Sequence, residues 1–369
     1  MKVLHVVASA ERRGAELFAG DLVPRLGRAG LTQRVIVLRE GRAPWVDYQE
    51  PTTILRSRRR RLPGVRFDRR IGGQLRDAAR EWAPDVIQAH GGESLKHVVL
   101  SHVNGAPVVY RRIGSAPVAM TRGLSRIAHG HLMRRASHIV AVAEALREET
   151  IEVFSVPQER VSVIPNAVDP ARIRPRTNRG AVRKSLGVPP SAPLMLSLGA
   201  LTWEKDPLAH LEVFEAVQAE RPDAMHLFVG DGPQRPALER AVQDRRLEGR
   251  VLLLGSREDV PDLLTAVDVM LLASRVEGLP GCLIEAGMSG VPVAAYAVAG
   301  VPEIVLDGVT GLLVPRGDRA ALASAAARLL GDQDARRALG EAARERCRGR
   351  FDIGSVSHRY VELYERMVR

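Results

Sequence analysis

Short runs rich in Val, Ile and Leu alternate with amphipathic stretches along this 369-residue chain, and the alternation is played through twice. Such a pattern predicts parallel strands with crossover helices, because strands covered on both faces read as apolar runs and parallel neighbours need a helix-length connection. In the first half strands are expected at Lys2–Ala8, Gln33–Arg39, Asp85–Ala89, Pro107–Arg111, His138–Val142 and Arg160–Ile164, with helices at Ala15–Ala29, Arg69–Trp82 and Glu144–Phe154. Pro165-Asn166-Ala167-Val168-Asp169-Pro170 then opens a stretch rich in Pro, Arg and Asn that runs to Gly180 and marks a turn and linker. The pattern restarts with strands at Leu194–Gly199, Met225–Gly230, Val251–Leu254, Val267–Leu272, Val291–Ala295 and Gly311–Val314, and helices between them. Two helices, Asp334–Arg348 and Gly354–Val368, follow the second sheet, so at least the last must pack across elements already formed. The fold class is therefore α/β, with two Rossmann-like, doubly wound domains, each long enough to bury its own core. Ligands bind such sheets at the carboxyl ends of the strands, which places a nucleotide in a cleft between the domains.

The composition narrows the ligand. The formal net charge is +11, which favours anionic partners. Aromatic residues make up only 4% and do not interleave with the basic ones, so no stacking platform for nucleic acid is expected. Arg56, Arg58 to Arg61, Arg66, Arg69 and Arg70 form the densest positive run, readable as a solvated loop or as contact with an anionic membrane or lipid-pyrophosphate acceptor. Cys282 and Cys347 are too few and too far apart for a disulfide framework or a metal site. The apolar start is a strand rather than a signal peptide, and no uninterrupted apolar run reaches membrane-spanning length, so a cytoplasmic, at most peripheral, protein is expected. Only four of the 54 basic residues are lysines, so a lysine at a motif position carries weight.

The stretch EGLPGCLIEAGMSGVPV carries the most chemistry. Glu277 follows an apolar run that reads as a buried strand, and Glu285 lies inside the Ala/Gly-rich helix that comes next. Pro280 suits the helix start, so the N–H groups of Gly278 and Leu279 are expected free at the positive end of the helix dipole. Amides for an anion and two carboxylates for hydroxyls suit a sugar nucleotide better than phosphate alone. Lys205, in Gly199-Ala200-Leu201-Thr202-Trp203-Glu204-Lys205-Asp206-Pro207, sits before a helix at the same sheet edge, placed to meet a diphosphate or to pair with Glu204 or Asp206.

Weaker signals surround these. Gly14, at the first strand–helix junction, allows close approach of a phosphate or sugar, or simply makes a turn. Gly230-Asp231-Gly232-Pro233 reads as a tight turn, and Arg257, after another strand, is placed to border a nucleotide base. His90 is expected on a loop facing the cleft, either as an acceptor-side group or as a structural histidine, and Arg111-Arg112 either bind an anionic acceptor or are solvated.

Taken in order, RRGAE at Arg12–Glu16, the run Asp85–His90, HIVAVAEALRE at His138–Glu148, VIPNAVD at Val163–Asp169, the EKDP step at Lys205, VGDGP at Val229–Pro233, EGLPGCLIEA at Glu277–Ala286 and GVPEIVLDGVTGLLVPRGD at Gly300–Asp318 resemble the retaining glycosyltransferases of the GT-B fold, family 4. The resemblance implies an acceptor-binding domain at 1–172, a nucleotide-sugar-binding domain at 173–350, an interdomain cleft and a helix at 351–369 crossing back to the first domain. It implies that Lys205 neutralises the leaving diphosphate, that Glu277 holds sugar hydroxyls, that Glu285 binds ribose, and that Gly14, Gly199, Arg257, Gly278 and Leu279 lie along the donor. His90 and Arg112 would fall on the acceptor side. No metal and no cofactor are expected beyond the nucleotide-sugar substrate, and the acceptor is a glycan, lipid-linked sugar or small molecule. Three positions depart from the family pattern: Ala200 stands where an arginine is usual, Tyr110–Gly114 lacks a common histidine, and Arg13 replaces a glycine.

The function expected is hexose transfer with retention of configuration. A sugar-nucleotide epimerase or hydrolase on the same fold is the alternative, and a catalytically weak scaffold subunit of membrane glycan assembly is a third reading, motivated by the departures at Ala200 and Ile113.

Overall fold

The computed structural model describes residues 1–41, 45–56, 67–103 and 105–369. The chain forms two compact units, Met1–Ala167 with Ile353–Arg369, and Val168–Asp352. The sequence put the change at 172/173. Residues 168–172 instead belong with the second unit, where Val168 N–H donates to the Phe351 carbonyl at 3.0 Å and bridges to Asp352.

The first unit runs β1 (Lys2–Val7), α1 (Gly14–Arg28), β2 (Thr32–Val37), β3 (Thr52–Ile54), α2 (Arg69–Trp82), β4 (Val86–His90), α3 (Gly92–Leu100), β5 (Val108–Arg112), α4 (Gly123–Arg134), β6 (His138–Ala141), α5 (Glu144–Glu152) and β7 (Val161–Val163). Its strands lie in the order β3-β2-β1-β4-β5-β6-β7, all parallel. The second unit runs α6 (Arg179–Ser185), β8 (Leu194–Leu198), α7 (Pro207–Glu220), β9 (Met225–Val229), α8 (Arg235–Asp244), β10 (Val251–Gly255), α9 (Val260–Ala266), β11 (Val269–Leu272), α10 (Gly281–Ser289), β12 (Val293–Tyr296), α11 (Val301–Ile304), β13 (Gly311–Val314), α12 (Arg319–Gly331) and α13 (Gln333–Arg350). Its sheet, β10-β9-β8-β11-β12-β13, is also parallel throughout. In each sheet the chain starts near the middle, winds outward one way, then returns and winds the other way. The turning points lie between β1 and β4 and between β8 and β11.

The last helix, α14 (Ile353–Val368), belongs to the first unit. Its Ile353, Val356, Tyr360, Leu363 and Tyr364, spaced three and four apart, form one apolar stripe that enters a core with Phe18, Leu22 and Leu26 of α1 and Val3, Val86, Val109 and Val140 of the sheet. Tyr364 satisfies its buried hydroxyl by donating to Gln88 Oε1 at 2.8 Å. Helix starts are set by side chains where the sequence provides them: Asp68, Asn178, Asp318 and Asp332 each accept a first-turn amide. No helix among the described residues is long and apolar enough to cross a membrane.

Candidate functional site

β8 and β11 are neighbours at the turning point of the second sheet, and the loops leaving their carboxyl ends carry Lys205 and Glu277. The structure brings the two together. The Lys205 ammonium donates to both Glu277 oxygens at 2.6 Å, and neither Glu204 nor Asp206 takes its place. Glu277 is buried, whereas the lysine side chain keeps 28% exposure, so the pair opens on one side to solvent. Burial is the largest single influence and works against the ammonium, but the charge and hydrogen bonds of Glu277 together with the nearby Cys282 and Glu204 lift the Lys205 pKa above the ordinary lysine value.

Several backbone and side-chain ties hold this geometry. The Glu204 carbonyl accepts from the amides of Arg275 at 2.8 Å and Val276 at 3.3 Å, so the two loops pair directly. Asp206 adopts a left-handed conformation (φ 48), rare for a residue with a side chain, and its carboxylate receives Arg275 Nε at 2.5 Å. His210, buried on α7, reaches both loops: Nδ1 lies 3.0 Å from the Asp206 carbonyl and Nε2 accepts from the Ala273 amide at 3.0 Å. Beside Lys205 a small cavity of about 20 Å³ is walled by Gly199, Ala200, His210 and Ser274. The Ser274 hydroxyl there is buried and has no partner among the described residues.

The glycines of this edge act by letting backbones touch. A Cβ on Gly230 would stand 1.9 Å from the Gly199 carbonyl oxygen, and one on Gly232 would stand 2.4 Å from that of Leu201. The Gly-Asp-Gly-Pro step is thus more than a tight turn: it seats the 199–201 loop against the end of β9. Gly199 itself sits at φ +154, with its Cβ position 3.9 Å from Lys205 Cε.

Glu285 lies one helix turn into α10 and pairs with Arg172 at 2.8 Å. The expected place of the Gly278 and Leu279 amides at the helix tip needs correction. Pro280 has an extended ψ of 115, so the helix begins at Gly281 and its positive end lies beyond Gly278 and Leu279. The Gly278 carbonyl accepts from Gly300, and Leu279 is buried and already engaged in an interaction of its own. Cys282 has its thiol pushed up to about 12 by burial, so it stays protonated and is no nucleophile. Arg257 stands apart on an exposed loop, its guanidinium held by Asp259 at 2.7 and 2.5 Å.

In the first unit Gly14 is the opening residue of α1, with nothing within 4 Å of where a Cβ would be. His90 and Arg112 are placed differently from expectation. Rather than standing on a loop, His90 ends β4 and is 1% exposed. Its Nε2 lies 3.1 Å from His5 Nδ1, and His5 Nε2 lies 2.9 Å from Gln33 Oε1. Gln33 Nε2 donates to the Val23 carbonyl, so Oε1 faces His5; His5 therefore carries its proton on Nε2, and His90 donates from its own Nε2. Burial keeps both rings neutral, lowering His5 to about 4 and His90 well below the ordinary value. Arg111 and Arg112 are neither solvated nor open to an anion, since both lie inside β5, fully buried. Arg112 donates to the Leu146 carbonyl at 3.0 Å, to Thr150 and to Glu149 at 2.6 Å, fastening α5 to the sheet. Arg111 stacks on Phe18, 3.7 Å from the ring centroid, and bonds Asn166.

Of the arginine run, Arg58 to Arg61 and Arg66 lie outside the described residues. No group of three or more His, Cys, Asp or Glu side chains that could hold a metal ion is found among the described residues. A larger cavity of about 460 Å³, with Arg179, Asp268 and Arg337 in its wall, lies at the amino edge of the second sheet, the edge away from Lys205. Sequence reasoning missed Arg172, Arg275 and His210. His210 had a readable signal, since it stands four residues after Asp206 on the helix that Lys205 introduces.

Residues 12–172 match the model of Glycosyltransferase Family 4, and residues 178–346 match that of Glycosyl transferases group 1. The chain is 31% identical over 309 residues to 2-deoxystreptamine N-acetyl-D-glucosaminyltransferase of Streptomyces fradiae, covering 77% of this chain and 72% of that one. It is 27% identical over 363 residues to the lipopolysaccharide core biosynthesis glycosyltransferase LpsE of Rhizobium meliloti, covering 98% of each. Anabaena Alr3699/HepE, solved in complex with UDP and glucose, superposes with a TM-score of 0.84 at 22% identity over 99% of both chains, which establishes the same GT-B fold. The chain belongs to the group 1 glycosyl transferases and is a glycosyltransferase.

Proposed function

We propose that the protein moves a hexose from a nucleoside-diphosphate sugar to an acceptor hydroxyl, with retention of anomeric configuration and without a metal ion. The observation that carries this reading is the Lys205–Glu277 pair at the carboxyl edge of β8 and β11. Breaking the glycosidic bond leaves positive charge on the sugar and negative charge on the diphosphate. A fixed ammonium at the open side of the pair meets the diphosphate, and Glu277, released from it, accepts from the sugar hydroxyls. Glu285 accepts from the ribose hydroxyls in the same way, with Arg172 holding its carboxylate in place. With Cys282 protonated, the reading follows attack by the acceptor on the face the leaving group vacates, the donor phosphate taking its proton.

The acceptor is a hydroxyl of a glycan, a lipid-linked sugar or a small molecule. The relatives named above cover both a small aminocyclitol and a lipopolysaccharide core by name. The epimerase or hydrolase alternative and the scaffold reading gain nothing, because those relatives are transferases by name and the Lys205–Glu277 pair is intact. We place the reaction in the cytoplasm with peripheral contact to an anionic membrane. On α4, Leu124 and Ile127 stand 84% and 56% exposed, with Arg122 and Arg126 beside them in sequence, a pattern suited to a lipid surface.

The test is a thermal-shift screen across UDP-, GDP-, ADP- and TDP-sugars. A ligand that binds only the folded state raises the melting point by an amount that grows with its concentration relative to its Kd, so one donor should stand out and Lys205→Ala should abolish its shift. If no activated sugar moves the melting point, or if the variant responds as the wild type does, this reading fails.

A further inference from the structure

We propose that His210 is a positioning residue for the donor site: as a neutral ring protonated on Nδ1, it spaces the Lys205 loop from the Glu277 loop. The inference rests on the reading of Lys205 and Glu277 as the donor-binding pair and adds what holds that pair in register.

The hydrogen-bonding partners dictate the state of the ring. The Asp206 carbonyl, 3.0 Å from Nδ1, can only accept, so Nδ1 carries a proton. The Ala273 amide, 3.0 Å from Nε2, can only donate, so Nε2 carries none. One tautomer of the neutral ring serves both partners, and neither the other tautomer nor the imidazolium does. The ring is 5% exposed, and its burial lowers its pKa, so the neutral form prevails.

What the ring joins explains why this matters. Asp206 directly follows Lys205, and Ala273 directly follows β11 on the way to Glu277. Asp206 holds a left-handed conformation that an unsupported aspartate would leave. Its carbonyl accepts from the Ala209 and His210 amides at 3.0 and 3.3 Å as helix α7 begins, and three further bonds fix it: its amide to the Thr202 carbonyl at 3.1 Å, its carboxylate to Arg275, and its carbonyl to the His210 ring. Of these only the imidazole also reaches the end of β11. Without it, the two loops stay joined through Glu204 and Arg275, but the backbone immediately after Lys205 is no longer tied to the strand that delivers Glu277. Helix α7 gains little from a histidine here, since an apolar residue would fill the same buried position.

The chain has only four lysines, so the side-chain signals of Lys205 can be resolved by NMR with labelled lysine. In the wild type the Lys205 signal should titrate above the ordinary lysine value, and the His210 ring nitrogens should show the neutral, Nδ1-protonated pattern at pH 7. In His210→Leu the Lys205 titration should move back toward the ordinary lysine value, and affinity for UDP, or for whichever of UDP, GDP, ADP and TDP the wild type binds best, should fall at least tenfold by calorimetry. His210→Gln, whose amide oxygen can still accept from Ala273, should recover part of both. The leucine variant must remain folded by circular dichroism; if it does not, the glutamine and asparagine variants, each keeping one of the two bonds, carry the same comparison. A His210 ring protonated on Nε2, or a folded leucine variant with unchanged Lys205 signal and nucleotide affinity, would overturn the proposal. A wild type that binds none of the four nucleotides yet shows the His210-dependent Lys205 signal would overturn the donor role while leaving the loop coupling standing.

Discussion

The two sheets share one topology and use its turning point in opposite ways. Between β8 and β11 the polar groups stand on loops past the strand ends: Lys205 and Glu277 meet at the surface of the second unit, and the ammonium keeps an open side. Between β1 and β4 the polar groups lie inside the strands: His5 and His90 bond each other and Gln33, fully covered. Topology makes a crevice available at both places, but only loop chemistry turns one into a candidate for phosphate and sugar. The first unit spends its charges internally, with Arg112 serving α5 and Arg111 stacked beneath α1. A doubly wound sheet therefore announces where a ligand would go, and the exposure of the charged groups there decides whether one is held.

The largest effect should come from removing the open pair. Lys205→Ala and Glu277→Ala should each lower kcat by about 10³-fold, the scale seen when a fixed charge-stabilising donor is deleted from an active site. Lys205→Ala also leaves the buried Glu277 carboxylate without its cation, so its melting temperature should fall too, and turnover is compared per folded molecule. Activity within tenfold of wild type in both variants would mean that this edge is no more a site than the other one.

The reverse outcome is expected for Arg112. Arg112→Ala removes three internal bonds and leaves Glu149 without its cation, so stability should fall by about 3–5 kcal/mol, the usual cost of breaking a buried pair. Urea unfolding measures that loss, and turnover per folded molecule should stay near wild type. A folded variant with selectively raised KM for acceptor would restore Arg112 to the acceptor side.

Covered histidines give the molecule a pH signature. Burial holds His5 at about 4 in the folded state against 6.5 when exposed. Between those values the unfolded chain binds a proton that the folded one refuses, so stability falls as pH drops through 6.5 and levels off only below about 4. For His5 alone the loss approaches ~3 kcal/mol at full titration, from ~1.4 kcal/mol per pKa unit. His138, lowered to about 4 chiefly by burial, adds a term of the same sign. His5→Leu should unfold at lower urea at pH 7 yet show a flatter slope between pH 6.5 and 4.5. An unchanged slope would mean that His5 titrates normally and that the β1/β4 edge is wetter than its packing implies.

How much of this was legible beforehand follows the same division. The two parallel sheets could be read because strands covered on both faces leave uninterrupted apolar runs such as Leu194–Leu198 and Val269–Leu272. Lys205 and Glu277 could be read because each stands where a strand hands over to a helix. The edge strand Thr52–Ile54 was missed because three half-exposed residues carry no periodicity, and α3 because its opening Gly91-Gly92 looks like a turn. His90, Arg111 and Arg112 were misplaced for a deeper reason. A polar residue at a strand end looks the same in sequence whether it faces solvent or an internal partner. Those partners, His5, Asn166 and Glu149, lie 85, 55 and 37 residues away along the chain. Arg172 escaped because its stretch reads as linker, and only the fold carries it to Glu285.

Gly14 offers the smallest effect and the sharpest discrimination between the two edges. Its counterpart in tightness is Gly230, where a Cβ would fall 1.9 Å from the Gly199 carbonyl, so Gly230→Ala should be destabilised by several kcal/mol, and with it the Lys205 loop. Gly14 has nothing within 4 Å of its Cβ position and is not in the left-handed region. As the first residue of α1 it should accept alanine with a change in stability within about 1 kcal/mol, because alanine has the higher helix propensity. The open space at Gly14 then has two readings that the same variant separates. If a donor phosphate approaches that backbone, a methyl group intrudes on the ligand alone, and KM for the nucleotide sugar rises while the melting temperature stays put. If the glycine merely eases the turn out of β1, both quantities remain at their wild-type values, and the donor is held by the second unit without help from the first glycine motif.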